Sequence, residues 1–286
     1  MDNTKMIILG ANGQLGKALQ ARFPGARAFG RDTFDMTDWE TMRKYDWAGV
    51  EAILNAAVFA NVDGAETPEG RVAAWKVNAV GPSYLAKIAT ERNITLVHVS
   101  SDYVFDGTKT PHHEDEPFAP LGVYGQSKAA GDIAVAVTPR HYIARTTWLV
   151  GDGPNFVRTM VGLAKKNVSP TVVADQIGRL TFASTLANGI AHLLKNKTAY
   201  GTYNLTNNGE PASWADFTRA IFKELGRDDL KVTNTTTADY SKNKAGVAPR
   251  PLQSKMDLSK IKATGFIPQD WQAELHNYIQ QETKEQ

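Results

Sequence analysis

Tyr124 and Lys128 stand four residues apart in Tyr124-Gly125-Gln126-Ser127-Lys128, in a stretch with helical patterning that follows a run ending in Val99-Ser100-Ser101-Asp102-Tyr103. Residues four apart share a helix face, so an ammonium there lies beside the phenol. An isolated phenol, with a pKa near ~10, exchanges protons poorly at neutral pH, and a neighbouring ammonium favours its ionised form. Such a pair moves a proton to or from a carbonyl or alcohol oxygen, with Lys128 also able to reach cofactor ribose hydroxyls, while a hydroxyl such as Ser101 polarises the same oxygen. The spacing alone is not selective, because Tyr240-Ser-Lys-Asn-Lys244 repeats it. That copy sits in a polar stretch with no strand feeding it and reads as a solvated loop.

What singles out the first copy is a glycine turn upstream. Gly10-Ala11-Asn12-Gly13-Gln14-Leu15-Gly16 follows the apolar run Met6–Leu9 and opens a helical pattern. The first glycine permits a tight turn, the second lets backbone approach a pyrophosphate, and the third allows close helix–strand packing. Unpaired N–H groups at the helix start then attract phosphate. The expected acceptor is a dinucleotide, contacted through Gly10, Asn12, Gly13, Gln14, Leu15 and Gly16. At its ribose end, Gly30-Arg31-Asp32 offers both a cation and an acid; Arg31 favours NADPH, with NADH tolerated. Asp35 and Met36 are placed for the adenine edge, and Asn55-Ala56-Ala57 for passage of the cofactor over small residues.

The elements needed to hold these groups alternate through the first half. Strands are expected near Lys5–Leu9, Ala26–Phe29, Ala52–Asn55, Thr95–Val99 and Tyr142–Arg145, with helices at Gln14–Arg22, Thr37–Tyr45, parts of Ala65–Arg92, and Val123–Val137. That rhythm predicts an α/β fold with a doubly wound parallel sheet, a Rossmann domain over residues 1–147. Residues 148–286 lose the rhythm and predict a smaller, interleaved α+β substrate lobe, from which a segment of about 171–195 returns to the first domain.

The 286 residues suffice for one large and one small unit sharing a cleft. A formal charge of +2 gives no reason to expect a nucleic-acid or membrane-surface partner. The absence of cysteine removes disulfides, thiolate metal sites and a cysteine nucleophile, and fits a cytoplasmic protein. The first apolar run is too short for a signal segment or a membrane span. No metal-ligand spacing occurs, so no metal is expected, and His112-His113-Glu114-Asp115-Glu116 reads as a solvated loop beside the pocket.

Taken together the residues resemble the extended short-chain dehydrogenase/reductase superfamily and, within it, the dTDP-4-dehydrorhamnose reductase family. The likeness runs through Gly10–Gly16, Asn55–Ala57, Val62-Asp63-x-Ala65-Glu66, Ser101-Asp102-Tyr103-Val104-Phe105-Asp106-Gly107, Pro120–Lys128, Arg145-Thr-Thr-Trp148, Asn155–Met160, Asp175-Gln-Ile-Gly-Arg179 and Arg250–Ser254. It implies reduction of a 4-keto sugar nucleotide, with Tyr124 as proton donor, Lys128 as its partner, and Val62, Ser101, Asp102, Tyr103 and Trp148 around the sugar. A monomer or homodimer is expected. Departures are Ser101 for the usual threonine, Phe59-Ala60 for Tyr-Thr, Val150 for an aromatic, a short Gly151–Pro154 loop, and Leu180 for proline. Alternatives are a reductase or epimerase acting on another sugar nucleotide, or a non-catalytic regulatory subunit of the same fold.

Overall fold

Met6-Ile7-Ile8-Leu9 is apolar along its whole length, and the strand it forms is buried on both faces, as a strand covered by helices on each side must be. The computed structural model describes residues 2–242 and 244–284. In it β1 (Met6–Leu9), β2 (Arg27–Phe29), β3 (Ala52–Asn55), β4 (Thr95–Ser101) and β5 (His141–Thr146) join the strand Gly201–Asn204 in one sheet. Every neighbouring pair is parallel, in the spatial order Gly201–Asn204, β5, β4, β3, β1, β2. The order reverses between β1 and β3, so a crevice opens there beyond the carboxyl ends of the strands.

The helices around this sheet and its neighbouring lobe include α1 (Gln14–Arg22), α2 (Trp39–Lys44), α3 (Pro68–Trp75), α4 (Gly81–Arg92), α5 (Val123–Ala136), α6 (Phe156–Lys165), α7 (Ala183–Asn196) and α8 (Trp214–Glu224). Leu15 and Leu19 of α1 and Leu186, Ile190 and Leu194 of α7 pack with Met6 and Ile8 on one face. Met42 of α2, Leu85 and Ile88 of α4 and Val135 of α5 pack with Ile7, Leu9 and Ile53 on the other. The doubly wound parallel sheet expected from the alternating pattern is therefore present. A third cluster, with Val157, Phe217, Ile221, Phe222, Trp271 and Leu275, joins α6, α8 and the C-terminal helix Trp271–Lys284.

Of the 171–195 segment expected to return, the later part, α7, packs on the central sheet and the earlier part does not. Thr171–Val173 pairs with Thr233–Thr235 outside the central sheet, whereas α7 and Gly201–Asn204 belong to it. The His112–Glu116 stretch also differs from the solvated loop expected. His112 is fully buried, stacked on Phe105 at 4.7 Å, with Nδ1 2.9 Å from Glu116 and Nε2 2.9 Å from the Gln253 carbonyl. Glu114 accepts the Asn204 backbone N–H, and its carbonyl accepts Arg145. These polar residues find partners across the sheet edge, so the loop clamps the returning strand to β5.

Glu274 on the C-terminal helix is a comparable tie. It is buried and accepts hydrogen bonds from Ser184, Thr185 and Asn207. Glu274→Ala leaves three donors without their acceptor and is expected to lower the unfolding free energy by about 2 kcal/mol. Urea denaturation would read this as a lower midpoint at unchanged slope; an unchanged midpoint would show that the tie contributes nothing.

Candidate active site

α1 begins at Gly13, an N-cap residue with no side-chain hydrogen bond, so its first backbone N–H groups are left for a ligand. Gly10 has φ +81°, and a Cβ there would sit 2.6 Å from the Ala57 nitrogen. A Cβ on Gly16 would sit 2.1 Å from the Gly10 carbonyl oxygen. The turn thus closes only without side chains at Gly10 and Gly16, and it leaves an open cradle suited to a pyrophosphate. A cavity of about 390 Å³ runs from this cradle over Ala56 and Ala57 to Arg31, Asp35, Met36 and Lys76. Burial raises the Asp35 carboxyl, but hydrogen bonds from Thr37 and the charges of Lys76 and Arg31 outweigh it and hold the group below the ordinary aspartate value.

A second cavity, of about 510 Å³, shares Asn12, Gly13 and Ala56 with the first and is lined by Gln14, Leu15, Ser101, Tyr124, Lys128 and Trp148. The strand end of β4 supplies Ser101, and α5 supplies Tyr124 and Lys128 from one face. The α5 N-terminus is capped by Glu66, whose carboxylate accepts the Val123 N–H at 2.8 Å. The Ser101 hydroxyl faces the Tyr124 phenol across the cavity and donates to Asp102 at 3.0 Å. Burial is the main cause that pushes the Tyr124 phenol above its ordinary value; the Ser101 hydroxyl opposes it, while Asp102 and Asp132 add to it. Lys128 is 1% exposed, and its Nζ bonds the Val99 carbonyl at 2.7 Å and His98 Nε2 at 3.2 Å. Burial brings it down to about 8 against the pull of Asp132. The phenol is therefore held protonated here, rather than ionised by the lysine as the spacing predicts, because the amine turns toward the β4 backbone.

A third cavity, of about 650 Å³, lies beyond two aromatic pairs. Tyr103 meets Tyr124 edge to face at 5.5 Å, and Trp148 stacks on Trp214 at 3.9 Å. Its walls include Phe156, Trp214, Tyr240 and Arg250. Trp148 both packs and lines a cavity. Its φ of +38° is a strained backbone for a tryptophan and holds the ring at the strand end. Tyr240, expected in a solvated loop, ends a short helix at the rim of this third cavity, with Lys244 over its ring at 3.4 Å.

Some candidate residues face elsewhere. Asn55 is buried behind the cradle and turns its side chain to His98 and the Ala57 N–H. Asp102 points away from the cavity and accepts Ser254 at 2.5 Å. Burial raises it to about 6, against hydrogen bonds from Ser254 and Ser101. Val62 is half-buried beside Asp63, whose carboxylate is gripped by both Arg250 and the Ala248 N–H. Gln14 is committed to Gly151 and Pro154, tying the glycine turn to the second lobe.

Residues not anticipated include Lys76, at the ribose end, and Asn78. Asn78 sits in a π-helical turn, Lys76–Val80, between α3 and α4. Its amide holds both backbone groups of Phe59 and reaches Ser127 at 3.1 Å, joining the loop after β3 to α5. The extra residue of a π turn changes which side chain faces inward, a shift that helical periodicity does not register.

A parallel sheet with a phosphate-type turn at its switch point, and a Ser/Tyr/Lys set at the ends of β4 and α5, defines an α/β protein of the short-chain dehydrogenase/reductase type. Residues 4–284 match the RmlD substrate binding domain, and the chain belongs to that family. It is 37% identical to a dTDP-4-dehydrorhamnose reductase of Aggregatibacter actinomycetemcomitans, across 96% of this chain and 97% of the relative. It is 35% identical to a probable dTDP-4,6-dihydroxy-2-methyloxan-3-one 4-ketoreductase of Streptomyces antibioticus, across 95% and 93%. The crystal structure of the Bacillus anthracis dTDP-4-dehydrorhamnose reductase in complex with NADP superposes with a TM-score of 0.88 at 32% identity, covering 96% of this chain and 98% of that one.

The raised Asp102 carboxyl makes a prediction about stability. Between the unfolded value near 3.8 and about 6 the folded state holds the proton that the unfolded state has lost, so this group's contribution falls as pH rises. Asp102→Asn removes the dependence. Its stability relative to wild type is expected to climb by about 2 kcal/mol from pH 4 to pH 7 in denaturant titrations. A difference that stays constant with pH would contradict the burial argument.

Proposed function

We propose that this protein is an NADPH-dependent reductase that converts dTDP-4-dehydro-L-rhamnose to dTDP-L-rhamnose, with NADH tolerated. The observation that carries the reading is the convergence of Ser101, Tyr124 and Lys128 on one cavity that continues into the glycine cradle. The near full-length likeness to dTDP-4-dehydrorhamnose reductases, one of them in complex with NADP, supports both the reaction class and the cofactor.

Bound NADPH supplies the hydride that adds to the C4 carbonyl carbon. The backbone N–H groups at the start of α1 hold the pyrophosphate, and Arg31 and Lys76 attract a 2′-phosphate. Ser101 turns its one hydroxyl proton from Asp102 to the carbonyl oxygen and polarises it. Tyr124, kept protonated by its surroundings, gives its proton to that oxygen as the alcohol forms. Lys128 holds ribose hydroxyls with the Nζ valence not used by Val99 and His98. Tyr103 and Trp148 bound the sugar, and the aromatic third cavity takes the nucleotide with Arg250 facing its phosphates. Asp102 acts from behind, by orienting Ser101, rather than by touching the sugar.

A second reading concerns the sugar alone. The Streptomyces antibioticus relative is named for a different 4-keto dTDP-sugar, and Val58 and Ala60 line the cavity in a stretch that departs from the usual Tyr-Thr. In either case the protein is expected in the cytoplasm, as a monomer or homodimer. Among the described residues no helix is long and apolar enough to cross a membrane.

The test is loss of NADPH absorbance with dTDP-4-dehydro-L-rhamnose generated in situ. Sugar-dependent oxidation yielding dTDP-L-rhamnose is expected, and Tyr124→Phe should lower kcat by about 100-fold or more while NADPH affinity is unchanged. Oxidation only with another 4-keto dTDP-sugar would favour the second reading. Near-normal turnover by Tyr124→Phe would overturn the proton-donor role.

A further inference from the structure

His98 lies on β4 three residues before Ser101 and faces α5, buried beneath the cavity. Its register partner on β3 is Asn55, whose Nδ2 lies 3.1 Å from His98 Nδ1. The other end of that amide, Oδ1, accepts the Ala57 backbone N–H at 3.2 Å. A backbone N–H can only donate, so the Asn55 oxygen must face Ala57 and its NH2 must face the ring. Nδ1 therefore accepts and carries no proton. Burial, together with the charge of Lys128, lowers the His98 pKa well below the ordinary histidine value. The ring is neutral, and its single proton is on Nε2.

Nε2 is 3.2 Å from Lys128 Nζ. An ammonium has only donors, so in that state two donors confront each other. As a neutral amine, Lys128 accepts the Nε2–H and still donates to the Val99 carbonyl at 2.7 Å. The charged groups around the pair are few. From α5, Asp132 brings Oδ1 to 3.8 Å from Nε2 and favours the ammonium. From β5, Arg145 bonds Asp132 Oδ2 at 3.1 Å and draws on the same carboxylate. Tyr124, also on α5, is protonated, β3 contributes only the neutral Asn55, and the turn between α3 and α4 only the neutral Asn78. The proton state of Lys128 is thus set between Asp132 on one side and burial with the His98 N–H on the other.

We propose that His98 is a positioning residue for Lys128: with its tautomer fixed by Asn55, its Nε2–H faces the amine and makes the lysine a group that gains and loses a proton in turnover rather than a standing cation. In that cycle Tyr124 gives its proton to the substrate oxygen, and the Lys128 ammonium restores the phenol when its Nζ swings from Val99 into the cavity that both residues line. The resulting neutral amine returns to the His98 N–H until a proton reaches it through that cavity. The cycle rests on the reductase reading above; the tautomer and the titration of Lys128 do not.

Two measurements on the protein free of cofactor test this. Long-range proton–nitrogen correlations on ¹⁵N-histidine-labelled protein, with His98 identified by its loss in His98→Gln, should show the Nε2–H tautomer between pH 6 and pH 9. The Nδ1–H tautomer, or an imidazolium in that range, would overturn the proposal, and this wild-type readout does not require any variant to be active. The ¹³Cε signal of Lys128, identified with Lys128→Arg, should titrate near pH 8 in the wild type and about one unit higher in His98→Gln. Equal midpoints in the two proteins would sink the tuning role, since a merely structural histidine leaves the lysine where it was. Absence of turnover with every 4-keto sugar nucleotide would instead refute the reductase reading while leaving both titrations standing.

Discussion

Lys128 is an amine almost without access to water, and the molecule is arranged around keeping it there. Taking such a group out of solvent costs several kcal/mol unless partners replace the lost hydration. The Val99 carbonyl and Asp132 serve the charged form, the His98 N–H serves the neutral one, and Asp132 is in turn bonded to Arg145. These partners come from β4, α5 and β5, so the amine reaches its place only when those three elements are in register. The same register brings Ser101 to the strand end above it and Tyr124 one helical turn before it. The placing of Ser101, Tyr124 and Lys128 on one cavity and the burial of one amine are therefore a single requirement.

The second lobe is coupled to this core at points that also border the cavities. Gln14 leaves the glycine turn to bind Gly151 and Pro154. Trp148, forced into a left-handed backbone, stacks on Trp214 of α8. Arg250 grips Asp63 from the far side. Each contact fixes a wall of the substrate cleft to a strand end of the sheet. The cleft is then shaped by tertiary ties rather than by any one loop.

How much of this could be read from residue order depends on what each residue answers to. Met6–Leu9, Ala52–Asn55 and Thr95–Val99 announce buried parallel strands because burial on both faces makes them nearly continuous in apolar residues, with Asn55, Thr95 and His98 the polar exceptions. The glycine turn and the Tyr/Lys spacing are legible for a similar reason: few residue types satisfy their local geometry. Other features answer to partners distant in the chain. His112 looks like a solvated histidine until Phe105 and Gln253 are brought to it. Gly201–Asn204 is short and partly polar, and becomes a sheet strand through pairing with β5. Asp102 stands in a segment that suggests sugar contact, yet its carboxylate is claimed by Ser254, remote in sequence. The inward turn of Asn78 depends on a π turn that a period of 3.6 residues does not reveal.

The central claim is that the reacting sugar sits between the β4 strand end and α5, with its nucleotide in the aromatic cavity beyond. A crystal structure with NADP and dTDP-L-rhamnose bound tests it most directly. The account predicts the C4 oxygen within about 3 Å of both the Tyr124 phenol and the Ser101 hydroxyl, with the thymidine end among Phe156, Trp214 and Arg250. A sugar ring lying away from Tyr124, or a nucleotide outside that cavity, would contradict it.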